Sequence, residues 1–283
     1  MRRVINIHLL PLIGAIAGDI IGSPYELKGH RIKRTDFPLF NRDSTFTDDT
    51  ILTLAVAQWI QNRNGNLVEI LHTLGNKYIN VGFGHAFKCW LRSKNPKPYN
   101  SWGNGAAMRV SSIGASCRYL NEVLDLAEQT ASITHNHPEG IKGAQAVAVS
   151  IYLAYRGFSK TNIKDYIENT FGYNLSRTIE EIRDGYSFDS SCQGSVPEAI
   201  VAFLESTNFE DAIRLAISLG GDADTQASIS GAIAGAFYKE ISIDIIEMVI
   251  KKLPTELLDI LRSFNEFAPP KEISLAVTTK KTC

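Results

Sequence analysis

Two short acidic motifs, Thr47-Asp48-Asp49-Thr50 and Asp222-Ala223-Asp224-Thr225, each precede an apolar run with helical spacing, residues 51–60 and 227–238. If the fold brings these two helix starts together, four carboxylates and several hydroxyls form a cage made only of oxygen. Hard divalent cations such as Mg²⁺ or Mn²⁺ bind in cages of that kind. Asp and Thr are also ordinary helix N-caps, favoured by the orphan N–H groups and the dipole of a first turn. Capping alone would explain either motif. Two such runs of polar oxygens exceed what capping needs, and the pair points to metal.

Four further stretches can converge on that cage. Glu26 follows Gly18-Asp19-Ile20-Ile21-Gly22-Ser23-Pro24-Tyr25, just past a glycine-marked helix end. An acid there faces either a cleft or open solvent. Ser101-Trp102-Gly103-Asn104-Gly105 leads into a helix expected to start near Ala106. Its glycines leave backbone N–H groups open to a ligand, and a helix start favours an anion such as a phosphate. Trp102 either stacks on a base or packs inward as core. The turn matches neither a P-loop nor a dinucleotide fingerprint. Thr134-His135-Asn136-His137 is a polar turn before a small-residue helix. His135 and His137 do not share a helix face and lack nearby nitrogen or sulfur partners, which argues against zinc. Cys192-Gln193-Gly194-Ser195-Val196-Pro197-Glu198 reads as another loop-to-helix start, with Pro197 in the first turn. No base stands beside Cys192 to activate it as a nucleophile.

Helices must position all of these groups. Apolar residues recur at three- and four-residue steps over 67–79, 123–133, 140–155, 199–204, 212–219 and 243–253 as well. Strand-like alternation is nearly absent. Breaks at 62–66, 94–105, 187–197 and Gly220-Gly221 are too short to be interdomain linkers. The reading is one compact all-α domain over residues 1–283. Gly14, Gly18 and Gly22 recur every four residues, which places them on one helix face where another helix can approach closely. Glycine inside a helix costs about 1 kcal/mol relative to alanine. The small residues at 140–154 and 228–236 therefore predict close packing around a central site.

The 283 residues are 44 % hydrophobic with a net charge of −1, enough for a sizeable core and unlike a disordered chain. No basic excess suggests a nucleic-acid or anionic-membrane partner. Cys89, Cys117, Cys192 and Cys283 show no CxxC spacing, which fits a reducing cytoplasm. Arg2-Arg3 and the apolar run after it imitate a signal peptide. Pro11 interrupts that run and its pattern continues through Ile20 and Ile21, so a buried helix is expected instead. No stretch of about 18 uninterrupted apolar residues occurs, and no membrane span is expected. The polar end at 278–283 reads as frayed.

With these motifs laid out, the chain resembles the ADP-ribosylglycohydrolase family, which includes the dinitrogenase reductase-activating glycohydrolases. The resemblance runs from about residue 12 to about 238 and rests on six ordered motifs, at 14–26, 46–50, 101–109, 134–140, 196–198 and 220–225. It implies an all-α domain with two Mg²⁺ or Mn²⁺ ions at the base of a cleft. By the family's pattern Thr47, Asp48, Asp49, Asp222, Asp224 and Thr225 would be the metal ligands. Glu26 matches the catalytic glutamate beside the scissile ribose. Ser101, Trp102, Gly103 and the rest of the turn, Asn104 and Gly105, match the loop that holds pyrophosphate and adenosine, and His135 a cleft-lining histidine.

The implied reaction is hydrolysis at the anomeric carbon of ADP-ribose, releasing it from a protein side chain or a small acceptor. An ADP-ribosylated protein or small molecule is then the expected partner, nucleic acid only as a modified substrate, and the chain a monomer. Some arginine-specific members carry a further acid before the Gly-Asn-Gly loop, whereas residues 85–100 here contain no Asp or Glu. Trp102 stands where other members have a smaller aromatic. Two other readings stay open: a dinuclear metal hydrolase of another nucleotide, or a non-catalytic ADP-ribose-binding or immunity protein on the same fold.

Overall fold

Fourteen α-helices, three 3₁₀ turns and one isolated β-bridge (Gly103 with Ser191) form the regular structure of the residues described in the computed structural model, 6–27, 29–62 and 65–267. The frayed end expected at 278–283, with Cys283, and the Arg2-Arg3 pair lie outside the described residues. In chain order the helices are Leu10–Gly22 (α1), Asp48–Gln61 (α2), Leu67–Lys77 (α3), His85–Arg92 (α4), Ser111–Ser116 (α5), Leu120–Ser132 (α6) and Pro138–Tyr155 (α7). They continue as Lys160–Phe171 (α8), Ile179–Gly185 (α9), Cys192–Glu205 (α10), Phe209–Ile217 (α11), Ala223–Tyr238 (α12), Ile243–Lys252 (α13) and Thr255–Glu266 (α14). They share one core, and the all-α single-domain expectation holds.

The glycine stripe of α1 explains where the site sits. Every residue of α1 is buried, and its most extensive neighbour is α12, buried from Ala223 to Ala236. The two run antiparallel with backbones in contact. A Cβ on Gly18 would collide with the Ala227 carbonyl, one on Gly14 with the Gly231 carbonyl, and one on Gly22 would stand 2.6 Å from the Ala223 carbonyl oxygen. The fit is reciprocal, since a Cβ on Gly235 would stand 2.5 Å from the Leu10 carbonyl oxygen. Four-residue spacing on both helices keeps the small residues in register along one seam. That register sets the C-terminal end of α1, and Glu26 beyond it, beside the N-terminal end of α12, where Asp222 and Asp224 stand.

Gly18→Ala should therefore destabilise the protein by at least about 1–3 kcal/mol, the usual penalty for overpacking. The obstacle is backbone and cannot swing aside. An unchanged midpoint in urea would refute this account of the seam.

The helical stretch Ile7–Tyr25 is long and apolar enough to cross a membrane by length and composition, yet 83 % of that window is buried within the protein. Its burial against α12 agrees with the core-helix reading.

Two local expectations fail. Ser111, not Ala106, starts the helix after the glycine turn; residues Asn104–Ala106 form only a 3₁₀ turn. The Asn104 carbonyl accepts from both Ala107 and Met108 N–H, which closes the turn without extending it. Pro197 is not in a first turn either, because α10 begins at Cys192, where the Ser191 hydroxyl accepts from Gly194 N–H. The Ser191 cap six residues earlier, rather than the proline, marks that helix start.

Candidate metal centre and cleft

The two acidic motifs meet. Asp48 and Asp49 occupy the first turn of α2, and Thr47 is its N-cap, with its hydroxyl accepting from Asp49 N–H at 3.3 Å. Asp222 precedes α12, and its side chain makes no capping bond. The Thr225 hydroxyl donates to Asp49 Oδ2 at 3.2 Å, joining α12 to α2 directly. Asp48, Asp49, Asp222, Asp224 and Thr225 all line one cavity of about 350 Å³, together with Glu26. One carboxylate oxygen from each of Glu26, Asp222 and Asp224 lies within 4.8 Å of the other two. Glu26 is thus part of the acidic cluster itself.

The capping reading is true of Thr47 and insufficient for the rest. Capping accounts for one hydroxyl, whereas Asp49 Oδ1 is buried with no hydrogen-bond partner. A buried carboxylate oxygen in that state carries a desolvation penalty that a cation would remove. The clustered carboxylates also disfavour one another's charge. Burial first, then neighbouring carboxylates, push Asp49 and Asp224 well above the ordinary carboxylate range. Asp48 is pushed up to about 8 by burial and then Asp19. Burial also raises Asp222, against a lowering hydrogen bond from Asn104. Carboxylates so placed resist ionising together unless a positive charge joins them. The donors are all oxygen, which suits Mg²⁺ or Mn²⁺ and not a soft metal.

Asp19 is the residue that sequence reasoning passed over. It lies in α1 with no exposed surface, and its carboxylate accepts from Thr47 N–H (2.9 Å), the Thr47 hydroxyl (2.7 Å), Thr50 N–H (3.0 Å) and the Thr50 hydroxyl (2.5 Å). It therefore fastens the start of α2 to α1. An isolated acid in an otherwise apolar helix was the available signal.

Gly82 closes the cavity beside Asp48. Its φ of +121° favours glycine, and a Cβ there would stand 2.9 Å from Asp48 Oδ1.

The glycine turn reaches the same cavity but is less open than expected. Gly103 N–H donates to the Ser101 hydroxyl and Asn104 N–H to the Ser190 carbonyl. The buried Asn104 amide donates to Ser195 Oγ at 3.1 Å and to Asp222 Oδ2 at 2.8 Å, so it steadies the metal motif. Ser101, Gly103, Asn104, Gly105 and His135 line the cavity, as do Tyr99, His85 and Phe188, which the sequence reading did not single out. Trp102 does not line it. The residue is 52 % exposed and its ring meets His137 edge-on at 5.5 Å between centroids, which rules out the inward core position. Two backbone bonds, Asn104 N–H to Ser190 and Cys192 N–H to Trp102, fix the turn to the start of α10 and leave that ring outside. On the Glu26 side, the Arg31 guanidinium lies 4.3 Å over the Phe188 ring, and Arg31 Nε donates to the Glu26 carbonyl.

Comparison with known proteins places the chain among relatives of one family. A family model described as ADP-ribosylglycohydrolase matches residues 11–268. ADP-ribosylhydrolase ARH3 of Xenopus tropicalis is 26 % identical, covering 81 % of this chain and 86 % of that protein. The human ADP-ribosylhydrolase ARH3 is 25 % identical, covering 80 % and 84 %. ADP-ribosylarginine hydrolase Tri1 of Pseudomonas putida is 26 % identical, covering 88 % and 76 %. A solved structure titled as an ADP-ribosylglycohydrolase-related protein complex shares the fold, with a TM-score of 0.69 and 22 % identity over 92 % of this chain and 97 % of that one.

Proposed function

The chain belongs to the ADP-ribosylglycohydrolase family, and from that premise we propose that it is a metal-dependent hydrolase that releases ADP-ribose from a modified protein side chain or a small acceptor. The observation that carries the metal requirement is the buried, partnerless Asp49 Oδ1, beside Asp48, Asp222 and Asp224, none of which forms an ion pair among the described residues. Thr47, Asp48, Asp49, Asp222, Asp224 and Thr225 are the residues we assign to hold two Mg²⁺ or Mn²⁺ ions. Such ions stabilise charge developing at the anomeric carbon and lower the pKa of bound water.

The protein's own groups supply the rest. Glu26 stands beside Asp222 and Asp224, with its carboxyl raised by burial, then by Asp222 and Asp19, and lowered by Arg31. A carboxyl tuned upward suits proton transfer near neutral pH. Water forms a bond to the anomeric carbon and gives a proton to Glu26. The bond to the acceptor breaks, the acceptor leaves with the electron pair, and it takes up the proton. Ser101, Gly103, Gly105, Tyr99 and His135 form the wall we assign to the nucleotide end. We assign Trp102, exposed beside His137 and between the cavity-lining Ser101 and Gly103, a contact with adenine at the cavity's edge only. Cys89, Cys117 and Cys192 form no disulfide among the described residues, which fits the cytoplasmic location we propose.

The test is a panel of ADP-ribosyl-arginine, ADP-ribosyl-serine, O-acetyl-ADP-ribose and ADP-ribosylated nucleic acid, assayed with Mg²⁺, with Mn²⁺ and with chelator. We expect free ADP-ribose from at least one linkage, and only with metal. No release from any of them, or equal release under chelation, would defeat the reading.

A further inference from the structure

Among the described residues Arg109 is the largest wholly buried side chain, and it forms no ion pair. Its Nη2 donates to the Thr130 carbonyl at 2.5 Å and to the Thr134 hydroxyl oxygen at 3.1 Å, while Nε and Nη1 lack partners. An unpaired buried guanidinium is expensive to hold, since Arg is almost never fully buried without a partner. What it touches leads to the cavity. Thr134 Oγ1 lies 2.7 Å from Nδ1 of His135, a buried residue whose ring lines the cleft.

Counting hydrogens fixes the direction of this chain. A guanidinium only donates, so Thr134 Oγ1 accepts from Arg109. The hydroxyl's one hydrogen then needs an acceptor, and His135 Nδ1 is the one in reach. Were Nδ1 protonated, two donors would face the same oxygen and the hydroxyl hydrogen would be stranded in the interior. Nδ1 is therefore bare and Nε2 carries the proton. Nε2 points across the glycine turn: a Cβ on Gly105 would stand 3.3 Å from it and one on Gly103 3.6 Å. Burial and then Arg109 push the ring down to about 3, so it stays neutral and does not switch near physiological pH.

We propose that Arg109, acting through Thr134, locks His135 in the Nε2–H form so that the cleft wall presents one fixed N–H donor to an anionic oxygen of the substrate's diphosphate. The role of the donor rests on the ADP-ribose reading above, while the lock does not. Arg109 and Thr134 are positioning residues. A donor polarised from behind by a buried cation favours a charged acceptor over a neutral one.

Ring ¹⁵N spectra of histidine-labelled protein without ligand should show His135 with a protonated Nε2 and a bare Nδ1. Thr134→Val, which keeps the shape and removes the hydroxyl, should mix the two forms and weaken ADP-ribose binding in proportion to the Nε2–H fraction lost, about 2-fold for an even mixture. Thr134→Ser should restore both. A wild-type ring protonated at Nδ1 overturns the proposal, and that spectrum decides even if the valine variant fails to fold. An unchanged tautomer in the valine variant, or a changed tautomer with unchanged affinity, overturns it too. Failure of the wild type to bind ADP-ribose would instead sink the functional reading, with the ligand-free spectrum still deciding on the lock.

Discussion

Asp224→Asn is expected to abolish ADP-ribose release at saturating Mg²⁺, by about 10³-fold or more, while raising the melting temperature of the chelated protein. The first effect follows from losing one of the oxygens we assign to the metal pair, whose electrostatic contribution is worth several kcal/mol, or about 10³-fold at 1.36 kcal/mol per tenfold. The second follows from the carboxylate cluster alone. Asp224 is raised by burial first, then by Asp222, Asp49, Glu26 and Asp19, so its charge is disfavoured in the fold. An amide of the same shape removes that repulsion. A pH series checks the same physics. Asp48 is raised from 3.8 to about 8, so the folded protein holds a proton that the unfolded chain releases near pH 4. Its stabilising contribution in chelated protein is complete below that pH and disappears as pH rises through about 8. Added Mg²⁺ should reverse the loss at high pH. Most of the turnover surviving in Asp224→Asn would end the argument for metal catalysis.

Both halves of the acidic pair were legible because each is written locally, as polar oxygens just before a helical apolar run. Their meeting was legible only indirectly. The four-residue glycine stripe on α1 announced a close helix partner, but nothing local says that the partner is α12. That follows from reciprocal backbone contact, in which Gly14 meets Gly231 and Gly18 meets Ala227. Asp19 went unread for a related reason. Its role lies in four hydrogen bonds to residues about 30 positions away, and the motif around it drew attention to Glu26 instead.

The glycine turn shows how composition misleads. Two glycines around an asparagine suggest free N–H groups for a phosphate, yet Gly103 and Asn104 N–H pair within the protein, and the Asn104 amide steadies Asp222. Trp102 reads as a candidate for the core or for stacking, and the paired backbone around it turns the ring outward. Several helices were missed where apolar residues are sparse. In α8 only Ile163, Ile167 and Phe171 are buried, at four-residue spacing in a polar sequence. The start of α9 is written in a capping box, Thr178 with Glu181, which was available to be read.

Glu26→Gln is expected to leave the fold and ADP-ribose binding in place while slowing hydrolysis by about 10²–10⁴-fold, the range for loss of a general acid–base group. Glutamine keeps the length of the side chain and one oxygen, so it still packs beside Asp222 and Asp224. It cannot take up a proton from water. The position favours a proton-transfer role over a purely electrostatic one, because burial and two neighbouring acids raise the carboxyl while Arg31 opposes them. The pH profile separates the possibilities. With Glu26 present, kcat should fall on the acid side as the carboxylate is protonated, and Glu26→Gln should lose that limb along with its rate. Glu26→Asp, which shortens the side chain but keeps the carboxylate, should regain the limb at a reduced rate. Normal turnover with weakened ADP-ribose binding in Glu26→Gln would make Glu26 a positioning residue. The proton would then have to pass through another group lining the cavity, such as His85 or Tyr99.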